Sequence, residues 1–223
     1  MLEPELPPVR GAGDVADLVD EQEWDELDLT GRVDGADLVR VEIQRCLVRG
    51  ASFVGADLTS ARLGHVVFDG CDLSGALLND AALHRVEFRD CRVSGLQLTA
   101  ARLRDVAFLG CRADDINLRA VGGERVLFAG CVASRADFSM ARIEHLRCFD
   151  SDLTEADFTQ AMCPAVELHG SVIEGLRGVR SIAPRIDATQ VTTLGAIYLE
   201  AFGVAVTDER TGERTGGRPP PAR

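Results

Sequence analysis

Four cysteines spaced twenty residues apart, Cys71, Cys91, Cys111 and Cys131, and three histidines, His65, His84 and His145, are the residues here with metal or redox chemistry open to them. A zinc or dithiol site needs its donors to converge from different directions. A strict spacing of twenty instead repeats one position, and equivalent places carry Ala51, Ser151 and Ser171. The cysteines are therefore read as small core residues and the histidines as exposed side chains of one outer wall. Neither a Gly-rich phosphate loop, nor a nucleophile elbow, nor an HExxH motif is present. No catalytic residue, no cofactor-binding residue and no metal ligand is assigned, and no enzyme is expected.

The chemistry left is charge. The 223 residues include 36 acids and 24 basic residues, every one of them Arg, for a net charge of -12. Residues 1–35 hold 11 acids and 2 Arg, residues 36–175 hold 20 and 15, and residues 176–223 hold 5 and 7, so most of the excess lies near the start. This balance argues against direct nucleic-acid binding, which needs a basic footprint to displace counterions. No apolar run approaches the ~20 residues of a membrane span, and the acidic start lacks the pattern of a signal peptide. Seven cysteines without short metal-type pairs suit a reducing compartment. A cytoplasmic location without membrane attachment is expected.

The positioning framework is a repeat. Residues 36–175 divide into 28 blocks of five without insertion or deletion, as in Ala36-Asp37-Leu38-Val39-Arg40, Cys71-Asp72-Leu73-Ser74-Gly75 and Ala156-Asp157-Phe158-Thr159-Gln160. The third position is apolar in 27 of the 28, Gly123 being the exception, and the first is small or apolar. First and third positions share one face of an extended segment and the second points away. A period of five drifts around a 3.6-residue helical turn, so the chain must instead turn after each short piece. Nine of the twelve glycines fall at the fifth position, as a corner with positive φ requires. A slower period of twenty, seen in Phe68, Phe88, Phe108 and Phe128, makes four blocks one coil. The reading is an all-β solenoid of about seven coils, stacked at the ~4.8 Å inter-strand spacing.

Residues 1–23 read as an acidic, flexible segment with a weak helical tendency over 14–23. Residues 24–185 read as the β-helix, with the alternating pattern of Trp24 to Gly31 as its N-terminal cap. Residues 186–206 read as a C-terminal helix and short strand. Asp187 is the N-cap, Gln190 completes a capping box and Gly203 ends the helix. Val191, Leu194, Tyr198, Ala201 and Phe202, with Ile197 beside them, form an apolar stripe for covering the last coil and for pairing two copies. Residues 207–223 read as a disordered tail.

These blocks resemble the A(D/N)LXX pattern of the pentapeptide-repeat family. The resemblance implies a right-handed quadrilateral β-helix with one pentapeptide per side. The family includes quinolone-resistance proteins of Qnr type and mycobacterial type, homodimeric rods that mimic DNA and bind type II topoisomerases. It implies that this chain binds DNA gyrase through acidic walls, for protection from quinolone-like poisons or self-immunity, without a cofactor. The alternative is a generic interaction scaffold. Sorting the outward positions by wall places 4 acids and 7 Arg on the wall of Ile43, Leu63 and Leu83. The Leu73 and Leu153 wall carries 6 acids against 3 Arg, and the Leu58 and Phe138 wall 5 against 2. The partner-binding candidates on these two acidic walls are Asp57, Asp72, Asp80, Asp114, Asp115, Asp137, Asp152, Glu155 and Asp157. The projecting loops of Qnr-type proteins are absent.

Overall fold

The computed structural model describes residue 7, residues 9–17 and residues 23–204. The expected tail 207–223, and the end of the expected short strand at residues 205 and 206, lie outside the described residues. The chain forms one parallel β-solenoid with a single C-terminal helix, α1 (Val191–Ala201). Five eight-residue strands make its regular part: β6 (Arg62–Asp69), β7 (Ala82–Arg89), β8 (Arg102–Leu109), β9 (Gly122–Ala129) and β10 (Arg142–Phe149). Each pairs with the next at an offset of twenty residues, as Val66 with Val86 and Val86 with Val106. Before them come β1 (Gly11–Asp14), β2 (Glu23–Asp25), β3 (Leu27–Thr30), β4 (Glu42–Gln44) and β5 (Leu47–Arg49), and β11 (Ala165–Glu167) follows. Among the described residues no helix is long and apolar enough to cross a membrane.

Every coil has four walls, named here by their inward residues in the second full coil: the Leu58, Leu63, Phe68 and Leu73 walls. The strands β6 to β10 run across the Leu63 and Phe68 walls. The Leu58 and Leu73 walls carry single β-bridges instead, such as Asp57 with Leu77 and Asp72 with Arg92. Fifth positions close the corners in the left-handed region, with φ of 62° at Ser60, 57° at Asp80 and 65° at Gly75, except at Arg125, His145 and Ala165, where the strand runs on between the Leu63 and Phe68 walls. A β-turn encloses each corner that ends a segment of the Leu58 or Leu73 wall, as where the Ala56 N–H donates to Phe53 O at 3.0 Å around Gly55. Side chains other than glycine pay a conformational cost there, which the ladder on both sides must offset.

The interior is a set of stacked columns. Phe68, Phe88, Phe108 and Phe128 stack with centroids 5.0, 4.8 and 4.6 Å apart, which measures the rise per coil directly. The column ends where Cys148 succeeds Phe128. In that same coil Phe138 replaces a leucine on the opposite wall, meets Phe128 edge-on at 5.9 Å and stacks on Phe158 at 4.8 Å. The large ring moves across the core as the small residue enters, so the volume inside each coil is kept close to constant. Cys71, Cys91, Cys111 and Cys131 are all buried, and their thiols donate to the carbonyls of Val48, Phe68, Phe88 and Phe108 at 3.3, 3.4, 3.3 and 3.3 Å.

The solenoid has about eight turns, because it extends past both limits of the frame. At the N-terminus Trp24 pairs with Ile43 and Leu29 with Val48, an offset of nineteen, while Arg32 bridges Ser52 at twenty. One residue is therefore missing at the Gly31 corner, where φ is 108°, and this slip hides the first coil from a strict five-residue count. Strand β1 pairs with β3, and Val15 beyond it is fully buried. Residues 11–17 thus belong to the solenoid, where the acidic and proline-rich composition of 1–23 suggests a flexible segment. At the other end Cys163 bridges Ile182 at nineteen and Glu167 bridges Arg185 at eighteen. Gly178 stands at an inward third position with φ of 71°, and a Cβ there would lie 2.2 Å from Thr159 N and 2.3 Å from Phe158 C. Only glycine lets the chain fold so closely under the last regular coil.

The end is then closed by α1. Asp187 caps the 3-10 turn Ala188–Gln190 that leads into α1: its carboxylate accepts from the Thr189 N–H at 2.9 Å and the Gln190 N–H at 3.3 Å, and its own N–H donates to Gln190 Oε1 at 2.9 Å, completing the capping box. Gln190 is also buried against the solenoid, donating to Leu168 O at 2.6 Å and Ser171 O at 2.7 Å. Leu194 is buried, and Tyr198 donates to Val179 O at 3.2 Å and Ile182 O at 3.1 Å. Replacing Phe108→Ala is expected to cost about 3–5 kcal/mol by opening the middle of the stacked column. Gly178→Ala is expected to loosen the closing end while leaving β6 to β9 protected. Urea denaturation checks the first and amide hydrogen exchange the second.

Candidate functional site

The outward carboxylates of the Leu58 and Leu73 walls are set by the corners beneath them. In the block Ala56 to Ser60 the N–H of Asp57 bonds to Ala36 O at 2.8 Å, that of Leu58 to Leu77 O at 2.7 Å and that of Ser60 to Asn79 O at 2.8 Å. The first N–H of the next block, Ala61, bonds to Leu58 O at 3.0 Å. The fourth N–H, Thr59, has no backbone acceptor and takes Asp57 Oδ1 at 2.9 Å. The same bond joins Asp72 to the Ser74 N–H at 3.0 Å, Asp137 to Ser139 at 2.8 Å, Asp152 to Thr154 at 2.9 Å and Asp157 to Thr159 at 2.8 Å. Five of the nine sequence-predicted site residues therefore first complete the local backbone hydrogen bonding. Asn117 does the same for the Arg119 N–H at 3.0 Å, so the corner asks for an acceptor and not for charge.

The other four differ. Asp115 takes a two-pronged pair from Arg135, with Nε at 2.7 Å and Nη2 at 2.8 Å. Asp114 accepts from Arg112 Nε at 3.0 Å and Ser134 Oγ at 2.9 Å. Asp80 and Glu155 are exposed fifth-position residues with φ of 57° and 60°. Arg177 reaches Asp157 at 3.5 Å as well. Among the described residues Asp57, Asp72, Asp80, Asp137, Asp152 and Glu155 make no ion pair.

These six do not form one stripe. On the Leu58 wall Asp37 bridges Asp57 and Asp137 bridges Asp157, and Leu77, Gln97 and Asn117 stand between the two pairs. Asn117 Nδ2 donates to Gln97 Oε1 at 2.8 Å along that neutral stretch. Asp37 belongs with the candidates, and its place at the second position of the first block is the signal that marks it. On the Leu73 wall Asp72 bridges Ser52 and Arg92, while Asp152 bridges Val132 and Val172.

The apolar stripe of α1 divides. Leu194, Ile197 and Tyr198 pack against the solenoid core, whereas Val191 and Phe202 are 59% and 66% exposed and Ala201 is exposed. Leu199 at 42% and Val204 at 48% are exposed as well, and Arg180 lies over the Phe202 ring at 4.1 Å. Leu194 and Tyr198 are thus committed within the chain by the turn of the helix that faces the open coil. His65 and His84 meet edge to face at 5.4 Å on the Leu63 wall. Among the described residues no group of three or more His, Cys, Asp or Glu could hold a metal ion.

The Arg135 pair holds the Asp115 carboxyl below the usual carboxylate range. Burial pushes the Asp114 and Asp157 carboxyls up, but hydrogen bonds from Ser134 and Thr159, together with Arg112 and Arg177, outweigh it and leave both lowered. A folded value below the unfolded one adds stability that is complete above about pH 4 and is lost as pH falls through the folded values. His65, held down by burial and by Arg85, adds a small loss as pH falls through about 6.5, so the thermal midpoint is expected to decline slightly from about pH 7 to 5 and steeply below about pH 4; a fall already complete by pH 5 would contradict this. Asp72→Ala is expected to cost about 1 kcal/mol, for the unsatisfied Ser74 N–H, with Asp72→Asn nearer neutral in the same denaturation measurement.

The sequence profile described as a pentapeptide repeat region matches residues 41–118. A comparison with curated proteins gives no match. Among solved structures, HetL, a pentapeptide repeat protein involved in heterocyst differentiation regulation from the cyanobacterium Nostoc, is similar at 20% identity and a TM-score of 0.33, covering 72% of this chain and 86% of its own. A trypsin-treated variant of QnrB1, a plasmid-mediated fluoroquinolone resistance protein, is similar at 18% identity and a TM-score of 0.39, covering 88% and 96%. A thylakoid-lumen pentapeptide repeat protein of Arabidopsis thaliana is similar at 26% identity and a TM-score of 0.21, covering 41% and 64%. The profile match falls inside the stacked coils, so residues 41–118 are similar to a pentapeptide-repeat region, and left-handed corners continue on both sides of it.

Proposed function

We propose that this protein is a non-catalytic interaction rod whose acidic side, the Leu58 and Leu73 walls, docks on a basic protein surface, and that this surface is the DNA-binding face of a type II topoisomerase such as DNA gyrase. The observation that carries the reading is the set of six carboxylates on two adjoining walls that make no ion pair among the described residues. Eight coils at ~4.8 Å give a rod of roughly 38 Å, the length of about eleven base pairs at 3.4 Å. Binding of this kind would modulate the enzyme or shield it from a quinolone-like poison.

A second reading, a scaffold with no topoisomerase partner, is favoured by the arginines that neutralise Asp114, Asp115 and Asp157. A duplex of the same length carries about 22 charges at one per 1.7 Å, far more than this rod presents. A supercoiling assay with purified gyrase, with and without a quinolone, separates the two. Topoisomerase binding is expected to appear at micromolar protein and to weaken at least about tenfold in the double variant Asp80→Lys, Glu155→Lys, whose side chains cap no corner. No inhibition, protection or binding would leave the scaffold reading.

The exposed apolar residues of α1 and its end are the proposed homodimer contact, namely Val191, Leu199, Ala201 and Phe202. Sedimentation is expected to give a dimer for the full chain and a monomer for Phe202→Asp.

A further inference from the structure

The wall opposite the Leu73 wall has the reverse charge. Along the second positions of the Leu63 wall, Arg62 pairs in register with Ala82, Ala82 with Arg102, Arg102 with Gly122 and Gly122 with Arg142. Arginine therefore stands on alternate coils, with a residue of one carbon or none between. All three arginines are exposed, and the space above Gly122 is open, with nothing within 4 Å of a Cβ placed there. Arg62 lies 3.8 Å from Glu42, at the limit of an ion pair, and among the described residues Arg102 and Arg142 make none. Of the neighbouring charges, Arg104 is paired with Glu124 at 3.2 Å and Arg125 with Asp105 at 2.8 Å, while among the described residues Arg85 and Glu144 make no ion pair.

We propose that this column is a second interaction surface and that its occupant is an acidic α-helix laid along the solenoid axis. The coil rise measured by the phenylalanine stack, 4.6 to 5.0 Å, puts successive column arginines about 10 Å apart. Residues seven apart on an α-helix rise about 10.5 Å and turn back by only ~20°, so carboxylates at that spacing stay on one face and meet one arginine each. The small residues between the arginines let a helix about 10–12 Å across lie close to the flat strands. A nucleic-acid duplex fits less well. Phosphates three steps apart along one strand rise by a similar ~10 Å but have turned about a third of the way around the axis, off the line of the column. The net charge of -12 also opposes a polyanion more than it opposes a helix with three carboxylates. This inference stands independently of the partner of the acidic side.

The test uses the full chain and two labelled helical peptides of equal charge in an Ala- and Gln-rich background. One has three Glu seven apart, the other three Glu five apart, which scatters them around the helix. Fluorescence anisotropy at low salt is expected to show the first binding at least about tenfold more tightly, an advantage removed by the triple variant R62Q, R102Q, R142Q. Arg85→Gln, on the same wall but outside the column, is expected to keep the advantage, and circular dichroism of both variants to match the parent. Equal binding of the two peptides by the unaltered protein would overturn the proposal, without reliance on any variant. So would an advantage that survives in the triple variant, or tighter binding of a single-stranded oligonucleotide than of the heptad peptide.

Discussion

The left-handed corner, present at the fifth residue of 25 of the 28 blocks, is the constraint on which the rest of this structure depends. It is costly for any residue with a Cβ, yet Arg40, Met140 and Gln160 all adopt it, with φ of 62°, 60° and 59°. Each corner is held because the strands before and after it are bonded to the coils above and below, so its conformational cost is offset by neighbours and not by its own side chain. A single coil could not meet that cost. Stacking makes the corners possible, and the corners in turn align the inward positions into columns. That mutual dependence is the reason a repeat of this type needs several coils before it is stable.

Charge sidedness follows from the same geometry. Two walls are continuous strands, where every second-position side chain is free to be Arg, Ala or Glu. The other two bend through β-turns that leave the fourth N–H without a backbone acceptor, and an Asp or Asn at the second position supplies it. Much of the acidity of the Leu58 and Leu73 walls therefore originates in the backbone. What distinguishes candidate partner-binding charges is the absence of such an obligation, as at Asp80 and Glu155. Asp114 and Asp115, prominent in the linear sequence as an acidic pair, are engaged by Arg112 and Arg135 in the folded chain.

The ends show how a periodic structure stops. Both depart from a coil of twenty by shortening, to nineteen and then sixteen towards the start and to nineteen and then eighteen at the finish. At the start, Gly31 absorbs the lost residue and β1 and Val15 cover the interior. At the finish, Gly178 permits the tight entry, and Gln190, Leu194 and Tyr198 close the opening. Each device satisfies backbone groups or apolar surface that a further coil would otherwise have covered.

The five-residue pattern by itself determined the solenoid, the inward and outward assignment of residues in each block and the Asp187 to Gln190 cap, because these depend on local periodicity and on side chains a few residues apart. The first coil was legible only as a cap strand over Trp24 to Gly31 and not as a coil, since one missing residue at Gly31 breaks the count while leaving the ladder intact. Nor could the sequence divide the helix stripe into Leu194 and Tyr198 on the inside and Val191 and Phe202 on the outside, as that depends on how α1 meets the last coil. The pairing of Asp115 with Arg135, and the arginine column above Ala82 and Gly122, join residues a full coil or more apart. Only the tertiary structure decided them, because the stacking of coils turns a separation of twenty in sequence into contact in space.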